Sequence, residues 1–366
     1  MISFVDLNRQ YDQIKDEVHR AIDEVIRSKA FVQGKYAKVF EEEYAKLHGL
    51  KHVIGCSSGS TALVIAASAL GLEPGDEVIT TTHTFIATVE PVHHLRAKTV
   101  LVDIDPVTYN IDPVKIESAV TGKTKAIIPV HLYGNPADMD AVMAVAKKHR
   151  LLVLEDCAHA HLAKYKGRFV GTFGDINAFS FNPGKNLGAY GDAGAVATAD
   201  ERLYKLASKI YDHGRLNNYE HDVVGYNLRI DGIQAAVLSV KLKYIEQWTK
   251  MRQENAAKYN ELFAGNSRVT TPVVAEGCEH VYHLYIIQVG NRDHVMKVLK
   301  ERGVDVRNQY PVPLHLQPAL SYLGYKRGDF PVAEALAGRV IALPIFPEIT
   351  DEEIHFIADI VNNESK

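Results

Sequence analysis

With 366 residues, the chain exceeds what a single hydrophobic core commonly supports, so a large domain, 1–245, with a smaller one, 246–366, is expected. A composition of 46% hydrophobic and 23% charged residues is that of a soluble globular protein, and a net charge of −4 with acids and bases interspersed speaks against a nucleic-acid footprint. Cys56, Cys157 and Cys278, odd in number and without Cys-x-x-Cys spacing, argue against a disulfide framework or zinc site, while the lack of a signal-like or membrane-spanning apolar run makes a cytoplasmic protein the expectation.

In chain order, Ile14, Val18, Ile22 and Val25 mark one face of a first helix, and Tyr36, Val39, Phe40, Tyr44 and Leu47 the stripe of a second. Strand His52–Cys56 then passes through Ser57-Ser58-Gly59-Ser60 into a strongly helical run. Free amides, hydroxyls and the helix dipole there suit a phosphate monoester, although Ser and Thr equally cap ordinary helices. Strands at 77–82, 99–104, 126–132 and 151–155, mostly separated by amphipathic segments, predict a parallel sheet sandwiched by helices, an α/β fold. Phe85, just beyond strand 77–82, is placed to stack on a planar ring or to fill core. The run 151–154 leads into Glu155 and Asp156, at the strand end where open α/β sheets present ligands; alternation points the two carboxylates to opposite faces.

Lys185 lies in FSFNPGKNLGAYGDAGAV, between strand-like runs 178–181 and 194–198. This is no phosphate-cradling P-loop, because Asn186 follows Gly184-Lys185 and Phe179 stands where the first glycine belongs. Nor do the glycines at 184, 188, 191 and 194 follow the dinucleotide-binding spacing. A lysine held rigid and partly desolvated captures carbonyls, whereas a lysine in an exposed turn does not. Paired with a carboxylate that keeps a ring nitrogen protonated, for which Asp156 is the choice, such a lysine points to pyridoxal phosphate. Ser180 offers a further phosphate hydroxyl. His159 and His161 with Asp156 provide no fourth ligand, so no metal site is expected and His159 is assigned to the cofactor ring or its hydroxyl. Helices at 231–244 and 245–263 precede a change of pattern: a run at 281–289, a helix at 293–302 and a terminal helix at 351–362 suggest a compact α+β unit, with YPVPLHLQP at 310–318 an ordered loop.

These strings, together with FVDLNRQY, GDEVITTTHTFIAT, AIIPVHLYG, VLEDCAHAH, GYNLRIDGIQAA and LPIFPEIT, resemble the nucleotide-sugar aminotransferases of the DegT type, a branch of the fold-type-I pyridoxal phosphate enzymes. The resemblance implies that Lys185 carries the cofactor covalently and later moves a proton, that Asp156 pairs with the pyridine nitrogen, that Phe85 stacks on the ring and that His159 lies near its hydroxyl. It assigns Gly59, Ser60 and Ser180 to the phosphate, Asn227 to the phosphate of a neighbouring subunit in a homodimer with shared sites, and Arg229, Tyr310 and His315 to the sugar nucleotide. The implied reaction takes an amino group from L-glutamate to a keto-sugar nucleotide, first a dTDP-linked 3-keto-6-deoxyhexose. The alternatives are a 4-keto or UDP-linked sugar, or a non-catalytic regulatory protein that binds the cofactor. Four positions depart from the family pattern: Pro91 falls where a helix should run, Arg96 and Leu162 stand in place of common glycines, and Thr61 follows Ser60 where Asp or Ala is usual.

Overall fold

The computed structural model describes residues 1–365. Asp6 accepts from the amides of Asn8 and Arg9 and so starts α1 (Leu7–Ser28). Seven strands, β1 (His52–Cys56), β2 (Glu77–Thr81), β3 (Lys98–Val102), β4 (Thr124–Ile128), β5 (Leu152–Asp156), β6 (Ile176–Ser180) and β7 (Gly194–Thr198), form the main sheet in the order β1-β7-β6-β5-β4-β2-β3. The pairs from β3 to β6 are parallel, but β7 runs antiparallel to both β6 and β1. Antiparallel neighbours need no helical crossover. A loop alone therefore joins β6 to β7, and that loop carries Lys185.

Helices cover both faces. α2 (Gly34–His48) packs Phe40 and Tyr44 against Phe179 and Phe181, while α3 (Gly59–Ala69) lays its alanine-rich face over β6 and β7. α4 (Glu90–His94) takes Pro91 into its first turn, where a missing N–H costs nothing; the segment after Phe85 is accordingly a 3-10 turn, Ile86–Thr88, followed by this separate short helix, with no continuous helix through Pro91. α5 (Gly232–Leu242) packs Val237 and Val240 against Ile14 and Val18 of α1. α6 (Ile245–Phe263) then leads to a three-stranded antiparallel sheet, β8 (Val269–Thr270), β9 (Tyr285–Val289) and β10 (Val340–Leu343), whose core includes Tyr259, Ile287, Leu343 and Ile357. β10 has no counterpart in the sequence reading, because its four apolar residues are too few to show a period.

The N-terminal residues dock on this C-terminal region: Ile2 N donates to Gly303 O at 2.8 Å, and Asp305 N to Ile2 O at 2.9 Å. Arg96 and Leu162 have φ of 59° and 65°, the left-handed region that favours glycine, so both side chains stand against the preference of the backbone. Among the described residues no helix is long and apolar enough to cross a membrane.

Candidate active site

The carboxyl end of β5, the β6–β7 loop and the start of α3 converge on a cavity of about 390 Å³. Gly59, Ser60, Phe85, Asp156, His159, Ser180, Lys185 and Tyr310 all border it, so eight residues singled out from sequence come together. At the start of α3, Ser58 accepts from the Thr61 amide while the Thr61 hydroxyl accepts from Ser58 N, a reciprocal cap that explains threonine at this position. That cap leaves the Ser60 side chain without a hydrogen bond to protein among the described residues. Gly59 must be glycine, since a Cβ there would lie 2.5 Å from Ser180 Cβ. The close approach brings the helix start and the Ser180 hydroxyl to one anion-sized corner.

The β6–β7 loop is held by Lys185 N donating to Asn182 O at 2.8 Å and Ala189 N to Phe181 O at 2.8 Å. Gly188 allows this path, because a Cβ would meet Pro183 O at 2.4 Å. The Lys185 amine makes no hydrogen bond or ion pair to protein among the described residues. Burial pulls it down to about 8, with the attraction of Asp156 opposing. Asp156 is buried, its Oδ2 accepting from Thr88 Oγ1 at 2.9 Å and its Oδ1 from Ala158 N at 3.1 Å. Burial raises this carboxyl, and the two hydrogen bonds and Lys185 pull it back down.

Glu155, pointing the other way, is fully engaged by His131 Nε2 at 2.9 Å and by the amides of Gly171, Phe173 and Gly174. His131, Glu155 and Cys157 bring one ligand atom each within 4.8 Å, but Glu155 is already saturated and burial drives the Cys157 thiol well up, away from the thiolate a metal needs. His161 has both ring nitrogens occupied, by Tyr44 OH and Ser180 O, each at 2.8 Å, and so serves the core.

His159 accepts from Tyr133 N through Nδ1 at 3.2 Å, and burial drives its pKa well down. A neutral ring with Nδ1 as acceptor carries its proton on Nε2, which has no other protein partner among the described residues. Phe85 is 55% exposed, with its ring 6.1 Å from that of Tyr310. It is cavity wall, not core.

Three predicted residues stand elsewhere. His315 is buried behind the wall, with Nδ1 at 2.8 Å from Thr82 Oγ1 and Nε2 at 3.0 Å from Glu334. Asn227 and Arg229 pair with each other at 2.9 Å on a surface segment outside this chain's own cavity, Arg229 also facing Asp212 at 3.4 Å. Arg307, Gln309 and His283 border the cavity without having been expected. Arg307 lies just before the loop 310–318, and no local spacing distinguishes it; its guanidinium stacks over Phe4, 4.6 Å from the ring centroid.

Comparison with known proteins agrees with this geometry. The model of the DegT/DnrJ/EryC1/StrS aminotransferase family matches residues 12–362. Among curated relatives, a pleiotropic regulatory protein of Geobacillus stearothermophilus is 48% identical, covering 98% of this chain and 97% of its own. A UDP-N-acetyl-3-dehydro-α-D-glucosamine 3-aminotransferase of Acidithiobacillus ferrooxidans is 42% identical, with 98% and 97% covered. A dTDP-3-amino-3,4,6-trideoxy-α-D-glucose transaminase of Streptomyces venezuelae is 39% identical, with 98% and 95% covered. Of solved structures, DesV of S. venezuelae with a ketimine intermediate superposes with TM-score 0.97 at 38% identity, covering 99% and 98%. The PLP form of a putative sugar aminotransferase of Streptococcus pneumoniae superposes with TM-score 0.90 at 27% identity, covering 95% of each chain.

Proposed function

The chain belongs to the DegT/DnrJ/EryC1/StrS aminotransferase family, and on that premise we propose that its site moves an amino group from L-glutamate to carbon 3 of a keto-sugar nucleotide, first a dTDP-linked 3-keto-6-deoxyhexose. It is a pyridoxal-phosphate-dependent aminotransferase of sugar nucleotides. The observation that carries the reading is a desolvated, unpartnered Lys185 amine facing the buried Asp156 carboxylate in one cavity. The donor set fits the cofactor. Gly59, Ser60 and Ser180 are available to the phosphate, the His159 Nε2–H to the ring hydroxyl, the exposed Phe85 face to the ring, and Asp156 to the pyridine nitrogen.

When bound, pyridoxal phosphate supplies a carbonyl and a ring that accepts electrons. The residues do the rest. Asp156, held by Thr88 and Ala158, keeps a proton on the facing ring nitrogen. Lys185 Nζ, neutral above about pH 8, is the nucleophile and, once released, the base that moves a proton. Arg307 faces the diphosphate of the sugar nucleotide, since Lys185 is committed to the cofactor; an unchanged sugar-nucleotide KM in Arg307→Ala would refute that role. Asn227 and Arg229 serve the neighbouring subunit of a homodimer, a reading supported by the exposure of Leu216, Tyr219 and Val224 on the same segment. Light scattering that returned a monomer at working concentration would contradict it.

A UDP-linked sugar is the second reading, favoured by the A. ferrooxidans relative. The visible spectrum of the protein loaded with pyridoxal phosphate tests the whole. L-glutamate should abolish a band absent in Lys185→Ala, and a dTDP-linked 3-keto sugar should restore it. Restoration only by the UDP-linked compound selects the second reading, and restoration only by a 4-keto sugar overturns both. A stable band with no response to any amino donor indicates a regulatory protein.

A further inference from the structure

Tyr133 does not border the cavity, yet it touches two of its walls. It is buried, with φ of 60°, at the end of the segment that follows β4. Its backbone N–H donates to His159 Nδ1 at 3.2 Å, on the cofactor side. Its hydroxyl stands 2.5 Å from Gln309 O and 2.8 Å from His83 Nε2. A carbonyl can only accept, so the tyrosine hydrogen goes to Gln309 and His83 must donate its Nε2–H to the same oxygen. Burial of His83, which lowers its pKa to about 4, keeps that ring neutral with a single proton. Gln309 and Tyr310 are cavity wall, and the Tyr310 ring stands opposite Phe85.

We propose that Tyr133 is a positioning residue for the sugar nucleotide, fixing the Gln309–Tyr310 wall relative to His159 through one side-chain and one backbone hydrogen bond. The sugar side of this proposal rests on the function proposed above. One residue thus sets both the tautomer of His159 and the place of the wall opposite, and loss of the hydroxyl affects only the second.

The test is Tyr133→Phe in the full chain loaded with pyridoxal phosphate, with two readouts. Amide hydrogen exchange across 307–317 should quicken several-fold, with 156–161 unchanged. The KM for the dTDP-linked 3-keto-6-deoxyhexose should rise about fivefold, the factor one net hydrogen bond supplies, and more than the KM for L-glutamate. His83→Phe, which keeps the tyrosine but removes its second partner, should give a smaller effect of the same sign. Unchanged exchange in Tyr133→Phe overturns the tether whatever the substrate proves to be. Faster exchange with both KM values raised equally overturns the sugar-specific role. A wild-type protein that aminates no keto sugar defeats the proposed function and, with it, the sugar-specific role, while the exchange readout still decides the tether.

Discussion

Thr88 Oγ1 donates to Asp156 Oδ2 at 2.9 Å, across the space between the turn after Phe85 and the end of β5. The bond favours the ionised carboxylate, against burial, which favours the neutral acid. Thr88→Val should therefore raise the Asp156 pKa further and leave the facing ring nitrogen less well protonated. The single-turnover rate with L-glutamate at neutral pH is expected to fall about tenfold, as for a lost hydrogen bond to a charged group, with the acid limb of its pH profile displaced upwards. Thr88→Ser should restore both; a profile identical to wild type in the valine variant would show that the contact has no catalytic consequence.

Lys185 is shifted the other way, downwards, and it too needs its deprotonated form. Burial disfavours its ammonium form, so the amine titrates at about 8 and the nucleophile is the deprotonated state. The rate constant for capture of pyridoxal phosphate by the cofactor-free protein should rise about tenfold per pH unit below that value and level off above it. Stopped-flow absorbance reads this directly. Lys241, also lowered to about 8 by burial, spends its amine on Gly188 O at 2.7 Å, so Lys241→Met should keep the same inflection; a lost inflection would reassign it.

Glu41 of α2 accepts the Gly55 amide at 2.7 Å, and burial raises its pKa to about 7. Between pH 4.5 and 7 the unfolded chain sheds this proton while the folded one keeps it, so stability declines as pH rises through that window and then holds. Glu41→Gln retains an acceptor for Gly55 and removes the titration. It should be about 3 kcal/mol more stable than wild type at pH 8 and nearly equal at pH 4.5, measured by urea unfolding. Equal stabilities at pH 8 would mean that the carboxylate is solvated after all.

The two left-handed residues should diverge. Arg96 is exposed, so Arg96→Gly relieves backbone strain at the cost of unfolded-state entropy, with a net gain of about 0.5 kcal/mol. Leu162 is buried, and Leu162→Gly loses apolar burial that outweighs the same relief, a net loss of about 1 kcal/mol or more. Thermal denaturation of both variants decides; a loss of stability in Arg96→Gly would count against strain at that position.

The sequence by itself determined the mostly parallel sheet, the order of its elements and the pair Lys185 and Asp156. Each is written locally: apolar runs of strand length, an acid at a strand end and a lysine among glycines. It also marked Gly59 and Ser60, where a strand runs into a helix start whose free amides suit an anion, and Ser180 as a further hydroxyl; only the fold brings the three to one corner. Tertiary structure alone decided the reversal of β7, since strand direction depends on which neighbour accepts the hydrogen bonds. It placed His315 behind the wall, by giving both its nitrogens to Thr82 and Glu334, and brought Arg307 to the cavity, where its backbone pairs with Ala342 of β10. Tyr133 was invisible for the same reason. Its role is made of contacts 26 and 176 residues away along the chain, and separations of that length leave no period in the sequence.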